Sequence, residues 1–184
     1  MAKTLEAQRV AILFTDGVEQ AELEQPLGAL RDAGADIDLV SLEAGRVQMF
    51  QHLEASDTID ANRSVSEAQA DDYDALMLPG GVANPDRLRM DDDAVAFVRG
   101  FFESAKPVAA ICHAPWTLIE AGVVDGRTLT SWPSLQTDLR HAGARWVDEE
   151  VHVDGNLVTS RKPDDLPAFC EAMIDAFAHT PTRR

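Results

Sequence analysis

The feature that most constrains this chain is an alternation. Short apolar runs of β type stand at Val10–Phe14, Ile37–Ser41, Asp74–Leu78 and Pro107–Ile111, separated by segments with apolar residues at helical spacing. Strand, helix, strand is the βαβ unit. Repeated, it predicts a mostly parallel sheet covered by helices on both faces, an α/β sandwich. Near the C-terminus the pattern changes. Arg145–Val147, Val151–Val153 and Leu157–Ser160 read as short strands, and Asp154-Gly155 between the last two signals a hairpin. No repeat, linker or low-complexity segment interrupts the chain, so residues 1–184 are read as one domain.

The helical segments carry their own punctuation. Glu19–Ala33 has Ala21, Leu27, Leu30 and the stem of Arg31 at near-helical spacing, with Gly34 where a C-cap glycine belongs. Pro26 inside it predicts a kink or a late helix start. Val47–Ile59 reads as a small hairpin or an irregular excursion. Ser64–Ala70 reads as a short helix, because Ser64 and Glu67 have capping-box spacing. Asp91–Ser104 is amphipathic, burying Ala94, Val95, Phe97, Val98, Phe101 and Phe102, with three aspartates at its start to suit the helix dipole. Pro115 opens a helix that Gly122 ends. Thr128–Ser131 reads as a strand, Ser134–Ala142 and Asp164–Ala178 as helices, and Thr180–Arg184 as a fraying end.

Charge and cysteine content narrow the partners. The formal net charge is −16, from 32 acidic and 16 basic residues, and the basic residues are scattered. Such a surface repels phosphate backbones, so nucleic acid is not an expected partner. Two widely spaced cysteines make no disulfide framework and fit a reducing compartment. Met1–Arg9 is polar and too short for a signal peptide. No apolar run approaches the roughly 18 residues that span a bilayer. The expectation is a cytoplasmic protein with no membrane partner.

In open α/β sheets, ligands gather outside the carboxyl ends of the strands. Three segments reach that edge: Asp16–Glu22, Pro79-Gly80-Gly81 and Cys112-His113. Cys112 follows a β run and precedes a helix, the context of a nucleophile elbow. A helix N-terminus favours thiolate over thiol. The bland alternative is a small buried residue capping the strand. His113 is a possible base or orienting group, although adjacent side chains often diverge. Glu19 and Glu22 share a helix face at a spacing of three. A carboxyl held near a thiolate prefers its protonated form and can then donate to sulfur; the alternative is a pair of solvated first-turn acids. Gly80-Gly81 would let backbone N–H groups converge on an oxyanion, or would simply turn the chain. Zinc-type Cys/His spacing, a P-loop and a dinucleotide fingerprint are all missing, so no metal or cofactor is implied.

The run Pro107-Val108-Ala109-Ala110-Ile111-Cys112-His113-Ala114-Pro115, preceded by Ala75-Leu76-Met77-Leu78-Pro79-Gly80-Gly81, resembles the ThiJ/PfpI family of the DJ-1/PfpI superfamily. The resemblance extends from about Val10 to Phe177 and takes in Asp154–Arg161 and Pro163–Leu166. It implies a flavodoxin-like three-layer sandwich with a C-terminal hairpin, a single ThiJ/PfpI-like (class I glutamine amidotransferase-like) domain. It implies that Cys112 is the reactive cysteine, that Glu22 hydrogen-bonds its sulfur, and that Glu19 is a second recurrent acid. His113 matches the PfpI-type histidine, and Asp86 the acidic residue that a neighbouring subunit is proposed to bring to it. The site would then lie near a subunit interface, in a homodimer or higher oligomer. The chain departs from the family at Ala114, where glycine is frequent, and at Asp86, where the longer glutamate is more usual. Asp16-Gly17-Val18 and Glu24-Gln25 also differ. These departures weigh against a peptidase more than against a reactive cysteine.

The resemblance implies a stress-response, cysteine-dependent hydrolase. Cys112 would attack a carbonyl carbon, with the His113 and Gly81 N–H groups on the oxyanion and Glu22 or His113 moving protons. Its substrate would be a small carbonyl compound, as in glyoxalases and deglycases, or a peptide, as in PfpI-type peptidases. The alternatives are a redox sensor that works through Cys112 oxidation without turnover and a chaperone. Cys170, beside Phe169 on the last helix, is expected to be an inert core residue.

Overall fold

The computed structural model describes residues 4–179; the C-terminal end expected to fray lies outside them. The elements in chain order are β1 (Arg9–Leu13), β2 (Val18–Glu19), α1 (Gln20–Asp32), β3 (Asp36–Ser41), β4 (Gly45–Gln51), β5 (Glu54–Ala61), β6 (Arg63–Ser64), β7 (Ala75–Leu78), α2 (Ala83–Leu88) and α3 (Asp92–Glu103). They continue with β8 (Val108–Ile111), α4 (Pro115–Glu120), β9 (Thr128–Leu129), α5 (Gln136–His141), β10 (Arg145–Trp146), β11 (Val151–Asp154), β12 (Leu157–Ser160) and α6 (Leu166–Ala178).

The main sheet has the order β11-β12-β8-β7-β1-β3-β6. Its neighbours are parallel throughout except β11 and β12, which form the expected antiparallel hairpin. The pleat divides the core in two. Val10 and Ile12 of β1, Met77 of β7 and Ile111 of β8 join one apolar cluster with Leu23, Leu27 and Leu30 of α1 and Phe169, Met173 and Phe177 of α6. Ala11, Leu13, Leu76, Leu78, Val108 and Ala110 point the other way, onto Val98 and Phe101 of α3, Leu118 of α4 and Leu139 of α5. Period-2 alternation in strands that are apolar on both faces is what helices on both sides demand.

Several expectations are corrected. α1 begins at Gln20 and runs through Pro26, so the helix does not start late. Its buried stripe of Leu23, Leu27 and Leu30 anchors it against α6, which outweighs one missing N–H. Arg31 is exposed, and Leu23 holds the core position instead. Gly34 adopts φ +89° and completes a Schellman turn, with its N–H on the Arg31 carbonyl and the Ala35 N–H on the Leu30 carbonyl. The segment from Ser64 forms only a single 3-10 turn, Val65–Glu67. The Ser64 hydroxyl goes to the Leu42 carbonyl at 3.1 Å and to Ser66, so no capping box forms. Phe102 is half-buried and lies under the Arg127 guanidinium, 5.1 Å from the ring centroid. β9 pairs with β10 outside the main sheet. The hairpin turn is Gly155-Asn156, because Asp154 already pairs with Leu157. Cys170 is half-buried rather than core.

The 47–59 segment resolves as a hairpin, β4–β5, which joins β2 in a small three-stranded sheet. Its two-residue turn, His52-Leu53, stands over the carboxyl ends of the main strands beside Glu19 and Glu22.

Candidate active site

Three strand ends build the site. β1 runs into Thr15-Asp16-Gly17, β7 into Pro79-Gly80-Gly81, and β8 into Cys112. Asn84, fully buried in α2, fixes the first two together. Its side-chain oxygen accepts from the Thr15 N–H at 2.8 Å, and its amide donates to the Pro79 and Gly80 carbonyls at 3.0 and 2.9 Å. Gly81 has φ +84°, and a Cβ there would collide with the Gly17 carbonyl and come within 2.7 Å of the Glu19 nitrogen. A Cβ on Gly80 would lie 2.6 Å from the Cys112 Cβ and 2.7 Å from Glu22 Oε1. The glycine pair is therefore the gap through which the carboxyl and the sulfur approach each other.

Cys112 has φ +64°, a left-handed conformation that costs a non-glycine residue about 1–2 kcal/mol. Two backbone bonds hold it there. Its N–H donates to the Ser160 carbonyl at 3.1 Å, and its own carbonyl accepts from the Trp132 N–H at 2.9 Å. Strain of this kind, over-determined by its surroundings, concentrates at functional positions. It also turns the side chain back: Cys112 Sγ lies 3.1 Å from His113 Nδ1. The adjacent residues do meet.

Electrostatics sort the protons. Burial pushes the Glu22 carboxyl up to about 8, with Glu19 adding to the shift and a hydrogen bond with Cys112 and the N–H groups of Gly81 and Gly80 opposing it. Glu22 is therefore protonated at neutral pH. Its Oε1 accepts from the Gly81 N–H at 3.2 Å, while the buried Oε2 has no hydrogen-bond partner. Burial also pushes the Cys112 thiol up, and a charged Glu22 would add to that; the Gly81 and His113 N–H groups pull it down. The expectation that the helix N-terminus would set this thiol is thus corrected. α4 is six residues long, and burial is the larger influence. Burial lowers His113 to about 4, so its ring is neutral. The ring is stacked 5.9 Å from Trp132 and edge-on 5.1 Å from Trp116.

The remaining expected residues fall in different places. Glu19 is buried, and its carboxylate accepts from the His52 N–H at 2.9 Å, which leaves α1 without a side-chain cap. Gly80 and Gly81 lie beside Cys112 and Glu22, and the Gly81 N–H is turned to Glu22. Asp86 does not line the cavity. Its carboxylate holds Arg89 at 2.7 Å, and the Arg89 guanidinium lies 4.6 Å over the Trp116 ring. The cavity itself, about 240 Å³, is lined by Glu19, Glu22, Gly81, Cys112 and His113 together with His52, Leu53, Val82, Trp132 and Pro163. The last five escaped sequence reasoning. They come from turns and helix starts far apart in the chain, and only the left-handed His52 turn and the Trp132-Pro133 pair leave any local trace. Among the described residues, no group of three His, Cys, Asp or Glu side chains could hold a metal ion, and no helix is long and apolar enough to cross a membrane.

A sequence model of the DJ-1/PfpI family matches residues 8–176. The chain belongs to the DJ-1/PfpI family. Among DJ-1/PfpI relatives, Protein/nucleic acid deglycase 2 of Escherichia coli K12 is 45% identical over 164 residues, covering 89% of this chain and 94% of that protein. YraA of Bacillus subtilis, provisionally named a cysteine protease, is 40% identical over 163 residues, covering 89% and 94%. The crystal structure of Drosophila melanogaster DJ-1beta superposes with a TM-score of 0.85 at 27% identity, covering 93% of this chain and 90% of that one. The flavodoxin-like α/β sandwich expected from the resemblance is the fold of this DJ-1/PfpI protein.

Proposed function

We propose that this protein is a cysteine-dependent hydrolase of small carbonyl compounds, of glyoxalase or deglycase type, with Cys112 as nucleophile. The observation that carries the reading is the Cys112 Sγ 3.1 Å from Nδ1 of a neutral His113, in a cavity it shares with a protonated Glu22. Neutral His113 Nδ1 accepts the thiol proton as sulfur attacks the carbonyl carbon. The carbonyl π pair moves to oxygen, which the backbone N–H of His113 stabilises while that of Gly81 stays on Glu22, and the Glu22 Oε2 proton neutralises it. With an α-dicarbonyl, the hemithioacetal hydrogen then moves from the sulfur-bearing carbon to its neighbour. The resulting thioester takes up water, giving a hydroxy acid and free thiol. Water is the only co-reactant.

Size supports small molecules over peptides. The cavity lies below the roughly 300–1,000 Å³ of drug-sized ligand sites. The net charge of −16 argues against nucleic-acid substrates. Asp86 enters this reading only from a second copy in a homodimer or higher oligomer, because within the chain Arg89 holds it. The setting is a cytoplasmic stress response. Methylglyoxal should be lost steadily with the protein and not with Cys112→Ala; equal loss in the variant overturns the reading.

One observation favours a second reading, a redox sensor. Glu22 Oε2 is buried without a partner in the cavity of the Cys112 sulfur, and as O–H it would stabilise a sulfenate or sulfinate there. Mild peroxide should then add oxygen to Cys112 before Cys170, as read by mass spectrometry. Oxidation of Cys170 first excludes it.

A further inference from the structure

Among the described residues five large apolar side chains are exposed, and three of them, Leu53, Val82 and Trp132, line the cavity that holds Cys112. Isolated exposed apolar residues need no explanation, but a cluster at one mouth does. Leu53 is the most exposed of the three at 84%, and it sits on the two-residue turn between β4 and β5. That turn is held in place. His52 before it is left-handed at φ +58°, and its N–H is bound by the buried Glu19 carboxylate, so Leu53 is fixed over the opening. Val82 begins α2 directly after Gly81, and the Trp132 backbone is bonded to Cys112 itself.

The ionisable side chains of the mouth are two carboxyls, Glu19 and Glu22, and two imidazoles, His52 and the neutral His113; among the described residues no lysine or arginine lines it. A substrate that carries its own carboxylate would enter beside two carboxyl side chains and find no ammonium or guanidinium to pair with.

We infer that Leu53, Val82 and Trp132 form an apolar collar that selects oxoaldehyde substrates bearing an uncharged, apolar substituent on the carbon next to the reacting aldehyde, over oxoaldehydes whose substituent carries a carboxylate. The reacting carbonyl sits at Cys112, and the substituent points out of the cavity and covers the collar. Burying a phenyl group in place of a methyl at such a collar corresponds to roughly tenfold or more in kcat/KM. The inference rests on the carbonyl-hydrolase reading above and gives that site its substrate class.

The test is kcat/KM near neutral pH for phenylglyoxal, methylglyoxal and 4-carboxyphenylglyoxal, with wild type, Leu53→Ser and Val82→Ser. The expected order is phenylglyoxal over methylglyoxal by roughly tenfold, with 4-carboxyphenylglyoxal well below phenylglyoxal. Leu53→Ser, on an exposed turn, should fold as wild type does and compress the phenylglyoxal-to-methylglyoxal ratio several-fold; Val82→Ser should compress it in the same direction. Turnover of methylglyoxal with a ratio near one, or a preference for 4-carboxyphenylglyoxal over phenylglyoxal, overturns the collar and leaves the carbonyl-hydrolase reading standing. An undiminished ratio in both variants also overturns it. Failure of all three substrates overturns the underlying reading, and the collar with it.

Discussion

Cys112 Sγ and His113 Nδ1 lie 3.1 Å apart although the residues are sequence neighbours, and the left-handed backbone of Cys112 is what brings them together. In an extended strand successive side chains leave on opposite faces. The contact therefore depends on strain at one residue, and strain can be titrated by substitution. Cys112→Gly and Cys112→Ala both remove the sulfur, but only alanine keeps the Cβ that makes this φ costly. At an ordinary strand end glycine would be the less stable of the two. Here Cys112→Gly should match or exceed Cys112→Ala, by up to about 1 kcal/mol in urea unfolding. A glycine variant clearly weaker than the alanine variant would mean that the strain is relieved in solution.

The raised Glu22 carboxyl has a consequence for stability against pH. An unfolded chain ionises this group near 4.5, whereas the folded protein holds the proton until about 8. Between those values the native state binds more protons than the unfolded state, so its stability falls as pH rises and levels off above 8. Glu22→Gln removes this term. Its stability relative to wild type should grow from pH 5 to pH 8, by an amount on the order of 4 kcal/mol at most. Denaturant midpoints at the two pH values read it, and parallel behaviour of the two proteins contradicts a protonated Glu22.

For His113 the sign is reversed. Burial holds its folded value down at about 4, below the ordinary 6.5. The unfolded state then binds more protons between these values, and this contribution to stability is lost as pH falls from 6.5 through 4. In NMR the His113 ring protons should titrate with a midpoint about 4. A midpoint near 6.5 would mean that burial does not depress the ring in solution, and this pH-dependent contribution would vanish.

Gly81→Ala tests whether the Gly80-Gly81 turn is obligatory. The added methyl would meet the Gly17 carbonyl and the Glu19 nitrogen, both backbone, at a φ of +84°. Nothing there is the flexible end of a side chain. The variant should lose on the order of 2–4 kcal/mol and react more slowly with iodoacetamide at Cys112. Wild-type stability and labelling would mean that the loop relaxes freely.

What could be read ahead of the structure follows physical locality. β1, β7 and β8 are short apolar runs buried on both faces, and their composition marks them. Cys112 stands in a strand-to-helix context that fits both a nucleophile and a buried cap, and the family resemblance is what singles it out. Interactions set by distant partners were not readable. Pro26 should have delayed α1, but packing on α6 keeps the helix whole. Ser64 and Glu67 have the spacing of a cap, yet the Ser64 hydroxyl is taken by Leu42, 22 positions away. The site divides in the same way. Glu22, Cys112 and His113 carry chemistry in their side chains and could be named. Leu53 and Trp132 contribute shape, which exists only once the β4–β5 hairpin and the segment after β9 fold over the sheet.

The tryptophan pair around His113 makes the site optically self-reporting. Of the three tryptophans in the chain, Trp116 and Trp132 face the His113 ring at 5.1 and 5.9 Å, and Trp132 also borders the cavity. Two of the three native fluorophores therefore sit within quenching range of one imidazole, and one of them at the door a substrate must pass. Filling the cavity, alkylating the sulfur or protonating the ring each changes the emission of the unlabelled protein, so occupancy can be followed in real time without attaching a probe.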